Sequence, residues 1–484
     1  MIVSLDITPG FDASLHEVVR LFYPDCEVVY DADEPDLRIG ISVLGQEKQV
    51  WVKARLQGHL DGYEENQFSG DDIAETKREI RCSLLRLLMR ANGTDPSPYG
   101  ILTGIRPTKL IHKMFDRGLS EKEAVREISE KYLVNPEQAQ LLAMVASNNR
   151  VYLPNPAVAG RSISVYVGIP YCPSRCSYCS FPGYPLSYKP GLEQYFEALL
   201  WEMGSIGEFL HQEGFSVENI YIGGGTPTVL NAKQWLRLLP IIERYYLGPG
   251  TREFTVEAGR PETIESEVLH ILREARVNRL CINPQTMNET TLDLIGRRHT
   301  VEAVGEAVTL ARSAGFININ MDLIVGLPGE GTEMFLDSLD NVLALAPEGI
   351  TIHTLARKRG SRLDMDGMAA AAEDGESARQ AVQIGLERLT GKGYFPYYLY
   401  RQKHMTGNLE NIGYARPGYY GLYNIQIIEE RQTVIGLGSG SSSKFVNGGD
   451  WSLTSMYHPK DPLAYVNNVK TLVARQVDKL KALS

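Results

Sequence analysis

The sequence predicts an α/β protein: a partial (β/α)6 barrel over residues 160–360, an N-terminal α+β domain over 1–155 and a C-terminal α+β region over 361–484. Three observations predict it. Six nearly all-apolar runs alternate with amphipathic segments between Ile163 and Leu355, the pattern of a parallel sheet covered on both faces. The stretch VYLPNPAVAGRS, with two prolines and a glycine, separates these units from a different kind of sequence upstream. A chain of 484 residues with 43% hydrophobic content is also more than one ordinary core holds.

The N-terminal domain opens on short β-like stretches at Met1–Asp6, Glu27–Tyr30, Leu37–Val43 and Gln49–Leu56. Apolar residues at helical spacing then predict a helix over Ile73–Ala91, stopped by Asn92, Gly93, Pro96 and Pro98. Further helices are predicted over Pro107–Arg117, Glu121–Lys131 and Pro136–Asn148. In the barrel the strand runs are Ile163–Ile169, Asn219–Ile222, Glu253–Glu257, Arg279–Ile282, Ile317–Val325 and Ile350–Leu355. Helices fit between them at Gly191–Gln212, Ala232–Tyr246, Pro261–Glu274, Val301–Ala314 and Glu333–Leu345. The C-terminal region starts with a helix over Glu373–Gly391 and continues into Tyr- and Gly-rich sequence and GLGSGSSSKF.

A net charge of −10 argues against a nucleic-acid surface, which needs a basic patch. No long uncharged apolar run predicts a membrane span, and the first 20 residues lack the pattern of a secretory signal. The expected location is the cytoplasm, with no stable membrane insertion. Of six cysteines, Cys26, Cys82 and Cys281 are isolated, while Cys172, Cys176 and Cys179 lie within eight residues. Such a cluster in a large chain points to metal rather than to a disulfide framework.

The motif reads Cys172-Pro-Ser-Arg-Cys176-Ser-Tyr-Cys179, C-x3-C-x2-C, just after the first barrel strand. Thiolates are the soft ligands of iron–sulfur clusters, and three of them hold three irons of four, leaving the last open. A zinc site completed by a distant histidine, and a redox pair through Cys176 and Cys179, are the competing readings of the spacing. At the end of the second strand, Gly223-Gly224-Gly225-Thr226-Pro227 permits close backbone approach and offers N–H groups to an anionic or amino-acid ligand. Polar residues also stand at the later strand ends: Glu257, Gln285 and Asp322, with Arg297 12 residues after Gln285. In a β/α barrel such ends face the site. A carboxylate suits ribose hydroxyls or an ammonium, and an arginine suits a carboxylate.

With Tyr166 six residues ahead of Cys172 and Tyr178 before Cys179, the motif resembles the radical S-adenosylmethionine (SAM) superfamily. The resemblance implies a radical SAM barrel, a 4Fe-4S cluster on Cys172, Cys176 and Cys179, and SAM on its open iron. It also implies cleavage of SAM to a 5′-deoxyadenosyl radical that abstracts hydrogen from substrate. Gly224, Gly225 and Thr226 match the GGTP motif that binds the methionine moiety of SAM. The spaced set Glu257, Gln285, Arg297 and Asp322, with DLIVGLPGE and GLGSGSSSKF, is similar to the oxygen-independent coproporphyrinogen III oxidase family, whose equivalent residues contact SAM. The likeness covers roughly residues 160–460. The long N-terminal extension with Tyr99-Gly-Ile-Leu-Thr-Gly-Ile-Arg-Pro-Thr-Lys109 resembles the HemZ-type branch.

Three departures bear on the activity that the family implies. Phe181 stands where the family's decarboxylases carry a further cysteine, as in its haem-chaperone branch; Gly168 replaces a usual histidine; and the chaperones' His-Asn-x-x-Tyr-Trp signature is absent. The resemblance implies a radical SAM oxidoreductase of haem biosynthesis that decarboxylates coproporphyrinogen III to protoporphyrinogen IX. A haem carrier, and an enzyme acting on another tetrapyrrole such as haem, are the alternatives. Expected partners are the tetrapyrrole and an electron donor such as a flavodoxin or ferredoxin. Carboxylates of such a substrate need cations, for which the run with His353, Arg357, Lys358 and Arg359 stands at the sixth strand end and Arg401, Lys403 and His404 come later. Tyr397, Tyr398, Tyr400, Tyr419, Tyr420 and Tyr423 are candidates to line its pocket, or an aromatic core.

Overall fold

The computed structural model describes residues 1–7, 15–30, 32–46, 49–58, 61–69, 72–104, 106–179, 181, 183–356, 375–403 and 405–483, with only the backbone of 44–46, 49–52, 54, 68 and 69. The chain forms two compact units: residues 1–147 with 401–410, and residues 148–400 with 411–484.

In the first unit the order is β1 (Ile2–Ile7), α1 (Leu15–Phe22), β2 (Glu27–Val29), β3 (Leu37–Gln46), β4 (Gln49–Gly58), β5 (Gly62–Ser69), α2 (Ile73–Asn92), α3 (Thr108–Asp116), α4 (Glu121–Tyr132) and α5 (Pro136–Arg150), within which the unit boundary falls. The sheet order is β2-β1-β3-β4-β5. One face of α2 buries Ile80, Leu84, Leu87 and Leu88 in the same core as Val3, Leu5 and Ile39. Asp72 caps its start by accepting from the Ala74 amide, and Gly93, at φ +67°, ends it. The sequence reading misses α1 and β5. The strand GYEENQFS shows no apolar alternation and pairs only along β4, at the sheet edge.

The second unit continues with β6 (Ser162–Ile169), β7 (Tyr171–Cys172), β8 (Tyr184–Pro185), α6 (Leu192–Gln212), β9 (Ser216–Gly224), α7 (Ala232–Tyr245), β10 (Glu253–Glu257), α8 (Ser266–Glu274), β11 (Arg279–Cys281), α9 (Glu289–Leu294), α10 (Val301–Ser313), β12 (Ile319–Val325), α11 (Thr332–Ala344) and β13 (Gly349–Thr354). After these come α12 (Gly375–Gly391), β14 (Phe395–Tyr400), β15 (Asn411–Ala415), α13 (Leu422–Glu429), β16 (Thr433–Leu437), β17 (Ser442–Val446), β18 (Leu453–Tyr457) and α14 (Pro462–Lys481). One eleven-stranded sheet runs β14-β15-β13-β12-β11-β10-β9-β6-β16-β17-β18. Its six central strands are parallel and follow chain order from β6 to β13, each joined to the next by helix, while the sheet stays open. This is the expected partial barrel. The C-terminal strands extend the same sheet at both ends: β15 pairs antiparallel with β13, and β16 parallel with β6. Apolar side chains such as Val165, Ile220, Val256, Leu280, Leu323 and Ile350 are fully buried or nearly so. Among the described residues no helix is long and apolar enough to cross a membrane.

Candidate active site at the barrel mouth

The carboxyl ends of β6, β9, β10, β11 and β12 bring the sequence-predicted residues together. β6 ends at Ile169, and the chain turns into Tyr171 and Cys172, where β9 delivers its glycines. The Gly225 amide donates to the Ile169 carbonyl at 2.7 Å and the Thr226 amide to the Tyr171 carbonyl at 2.8 Å. The Thr226 hydroxyl lies 3.5 Å from the Cys172 Sγ. A Cβ on Gly225 would stand 2.6 Å from the Tyr171 carbonyl oxygen and 2.9 Å from that sulfur, so only glycine fits. Gly224 has φ +113°, a conformation that favours glycine.

Cys172, Cys176 and Cys179 are free thiols. Burial raises the pKa of Cys172 and Cys179, and each is raised further by the neighbouring thiols, which places all three within electrostatic reach of one another. Against them stand two buried arginines. Arg260 places Nη2 3.1 Å from the Cys176 Sγ and 2.8 Å from the Ser174 carbonyl. Arg297 donates from Nη1 to the carbonyls of Gly259 at 2.8 Å and Asn283 at 3.0 Å, and from Nη2 to the Tyr178 hydroxyl at 3.1 Å. Among the described residues, Arg297 Nε, Asn283 Oδ1, Ser174 Oγ and Ser177 Oγ are buried with no hydrogen-bond partner.

Glu257 closes the third strand. Its Oε1 accepts from the Tyr221 hydroxyl at 2.5 Å and its Oε2 from the Gly224 amide at 3.3 Å, and burial pushes its pKa up to about 7. Tyr166 lies in a ring stack, 6.2 Å from Tyr221 and 5.9 Å from Tyr423 by centroids. Gln285 adopts φ +71°; its amide donates to the Asp322 carbonyl at 2.9 Å and its carbonyl accepts from Ile324 at 2.8 Å, which ties the fourth strand end to the fifth. Asp322 accepts from Asn320 Nδ2 at 2.7 Å and faces His353 Nε2 at 3.4 Å. Burial works to raise the Asp322 pKa, but His353 holds it below the usual range.

Sequence reasoning misses Arg260, Tyr221 and Arg279 as site neighbours, and reads His353 only as part of a cationic run for substrate carboxylates, whereas it faces Asp322. Cys281, read as isolated, has its Sγ 3.3 Å from Arg279 Nη1 and 4.0 Å from the Tyr221 hydroxyl. For Tyr221 and Cys281 the signal was the strand alternation, which puts them with Glu257, Asp322 and His353 on the inward face. Other expectations meet different surroundings. Arg357, Lys358, Arg359 and His404 lie outside the described residues. Arg401 is buried in the first unit, not free at a substrate rim: its guanidinium lies 4.0 Å over the Tyr99 ring and donates to the carbonyls of Leu102, Asn408 and Leu409. Lys403 is paired there with Glu17 at 2.7 Å. Tyr397, Tyr398, Tyr400, Tyr419 and Tyr420 pack in one aromatic core with Ile425 and Ile428, the ring of Tyr397 stacked on Tyr420 at 4.9 Å, while Tyr423 joins the barrel stack.

The site fits an iron–sulfur cluster and a zwitterionic ligand. Three reduced thiols share one loop, two arginines stand where they would offset the charge of thiolate ligands, a glycine cradle leaves room beside Cys172, and buried polar atoms remain to be satisfied. Among the described residues no group of three or more His, Cys, Asp or Glu is arranged around a single metal ion. The thiolates of a cluster each hold a different iron and need not converge on one point.

Comparison with known proteins yields the following. The profile of the "Radical SAM superfamily" matches residues 166–342. Over 460 residues, 93% of this chain and 92% of the relative, the sequence is 39% identical to the "Oxygen-independent coproporphyrinogen-III oxidase-like protein HemZ" of Bacillus subtilis (strain 168). It is 32% identical to the "Heme chaperone HemW" of Lactococcus lactis subsp. lactis (strain IL1403), over 58% of this chain and 69% of that one. The solved structure of the radical SAM enzyme coproporphyrinogen III oxidase (HemN) from Escherichia coli superposes with a TM-score of 0.53 at 25% identity, covering 65% of this chain and 70% of that one.

Proposed function

Because the chain belongs to the radical SAM superfamily, and within it to the HemZ-type branch of the oxygen-independent coproporphyrinogen III oxidase-like family, we propose that it decarboxylates coproporphyrinogen III oxidatively to protoporphyrinogen IX. The observation that carries the reading is the likeness to an oxidase-like relative along 93% of the chain, N-terminal unit included. Members of the superfamily use a 4Fe-4S cluster and SAM, which together supply a radical able to abstract hydrogen.

In this reading Cys172, Cys176 and Cys179 hold the cluster, with Arg260 offsetting its charge from the side of Cys176. Gly224, Gly225 and Thr226 let the backbone approach the methionine part of SAM. Arg297, fixed by two carbonyls and by Tyr178, has its Nε left to bind the SAM carboxylate. Glu257 and Asp322 take ribose hydroxyls or the ammonium, Gln285 fixes the turn between them, and Tyr166 with its stack bounds the inner side. Such a radical is unselective, so selectivity comes from holding one C–H bond against it. The chain's contribution is therefore placement and exclusion of water. Arg297→Ala should weaken SAM binding about tenfold to a hundredfold, the size of one charge-assisted hydrogen bond.

A second reading, a haem carrier, is favoured by Phe181 in place of the further cysteine and by the likeness to the heme chaperone HemW. One experiment separates the two. The anaerobically reconstituted protein is incubated with coproporphyrinogen III, SAM, a reductant and an electron acceptor. Loss of two carbon dioxide units together with 5′-deoxyadenosine supports the oxidase. An unchanged porphyrinogen mass with stoichiometric haem binding supports the carrier.

A further inference from the structure

Two neighbouring barrel strands each carry an inward tyrosine followed, two residues on, by a glycine: Tyr166 and Gly168 on β6, Tyr221 and Gly223 on β9. Residues two apart share one face of a strand. A Cβ on Gly168 would stand 3.4 Å from Tyr166 Cε1, and one on Gly223 2.8 Å from Tyr221 Cε1. Both rings therefore lean toward the carboxyl ends of their strands, where the mouth lies. Gly168 stands in place of a usual histidine, and a larger side chain there would crowd the Tyr166 ring. Tyr423, at the start of α13, completes a stack. Its ring centroid lies 4.5 Å from that of Tyr221 and 5.9 Å from that of Tyr166, with interplanar angles of 25° and 21°.

The three phenols share one carboxylate. Tyr221 donates to Glu257 Oε1 at 2.5 Å. Burial raises the pKa of all three phenols and the Glu257 charge raises each further, so all stand within its reach and stay protonated. Tyr166 is half-buried rather than sealed. Among the described residues, Tyr221 is the one of the three whose hydroxyl is hydrogen-bonded to protein. Buried tyrosines ordinarily find such a partner, and phenylalanine would fill the same space at Tyr166 and Tyr423. What the hydroxyl adds is an O–H bond weaker than an aliphatic C–H bond, on a ring that spreads an unpaired electron.

We propose that Tyr166, Tyr221 and Tyr423 are a radical sink beneath the mouth: when the radical that SAM supplies meets no substrate C–H bond, Tyr166 gives it a hydrogen atom and the stack holds the tyrosyl radical that results. The inference rests on the reading of the mouth as a SAM site. In the first step the Tyr166 O–H bond breaks and a C–H bond of 5′-deoxyadenosine forms. Tyr221 can then pass one electron to Tyr166, which takes a proton from solvent, while the Tyr221 proton moves to the Glu257 carboxylate 2.5 Å away. Tyr423 extends the stack at 4.5 Å. A one-electron reductant, of the class that must also reduce the cluster, restores the phenol together with a proton. The sink spares backbone and cluster from a species whose selectivity comes only from placement.

The test uses the full chain, anaerobically reconstituted, freed of thiol reagents, and incubated in heavy water with SAM and dithionite but no porphyrinogen. The 5′-deoxyadenosine formed is analysed by mass spectrometry, and a parallel sample is frozen for electron paramagnetic resonance. Wild type should yield 5′-deoxyadenosine that has gained one deuterium, because a phenol hydrogen exchanges with solvent and a C–H hydrogen does not. It should also show a tyrosyl signal whose hyperfine splitting collapses when the protein is made with ring-deuterated tyrosine. Tyr166→Phe should lose the deuterium whatever its rate of SAM cleavage, since the label is counted per 5′-deoxyadenosine. Tyr423→Phe should keep the deuterium and hold less of the tyrosyl radical. Cys281→Ala controls for the thiol beside Tyr221 and should change neither. Unlabelled 5′-deoxyadenosine from wild type overturns the proposal, as does a label that survives Tyr166→Phe or vanishes in Cys281→Ala. If wild type with an intact cluster forms no 5′-deoxyadenosine, the SAM reading of the mouth fails first and the proposal falls with it.

Discussion

Arg297 donates from Nη2 to the Tyr178 hydroxyl at 3.1 Å, joining the loop after the fourth strand to the residue before Cys179. The contact couples the groups proposed for SAM and for iron. Tyr178→Phe removes the acceptor and leaves a buried donor unpaired on a cation, a loss of about 1.5–3 kcal/mol. The variant should keep its cluster absorption, melt at a lower temperature and bind SAM more weakly by up to about tenfold. Anaerobic calorimetric titration decides: unchanged SAM affinity with a lowered melting temperature would make the pair purely structural.

The Gly225 cradle gives a sharper steric expectation. A methyl group there would stand 2.6 Å from a backbone oxygen and 2.9 Å from the Cys172 sulfur, so the strand end or the cysteine must move. Overpacking of this kind costs about 1–3 kcal/mol. Gly225→Ala should bind markedly less iron on reconstitution. Gly248→Ala, in an open turn with nothing within 4 Å of the added Cβ, serves as the control and should load normally. Equal iron content in the two variants would show that the close approach at Gly225 is not needed for the cluster.

Much of this was legible in the sequence because the barrel repeats one physical pattern. Apolar strand runs and capped helices such as Asn231–Gln234 and Thr300–Ala303 announce their own boundaries. β5 was not legible, since GYEENQFS at a sheet edge needs no apolar face. Arg260 and Arg279 were not legible for a different reason. Each is buried by partners distant in sequence, Cys176 and Ser174 for Arg260, and the field of Glu253 and Tyr397 for Arg279. Arg401 shows the converse. An arginine beside Lys403 reads as a surface cation, and only the fold reveals that Tyr99 and three carbonyls enclose it.

Glu257 predicts a pH dependence of stability. Burial raises its carboxyl from 4.5 to about 7. A raised folded-state value means that the contribution to stability is complete below the unfolded value and is lost as pH rises through the folded one, because the fold must then hold an ion away from water. The melting temperature of the protein without its cofactors should therefore fall between about pH 5 and about pH 8. Glu257→Gln should flatten that segment of the profile, since the amide keeps an acceptor for Tyr221 without titrating. Parallel profiles for the two proteins would place the titration elsewhere.

Arg260 carries the last expectation. Its Nη2 lies 3.1 Å from the Cys176 sulfur, and the same nitrogen donates to the Ser174 carbonyl, so the guanidinium is fixed rather than adaptable. A donor against a ligating sulfur stabilises the more negative, reduced state of a cluster and raises its reduction potential. Removing it has the opposite effect, and burial, which leaves Arg260 only 3% exposed, prevents water from replacing it fully. Arg260→Ala should thus lower the potential measured by redox titration with electron paramagnetic resonance, while iron content after reconstitution stays near that of the wild type. Arg260→Lys keeps the charge but not the fixed fork, and should recover part of the shift. A potential unmoved in both variants, with the cluster intact, would mean that Arg260 only pins the loop through Ser174 and does not act on the sulfur.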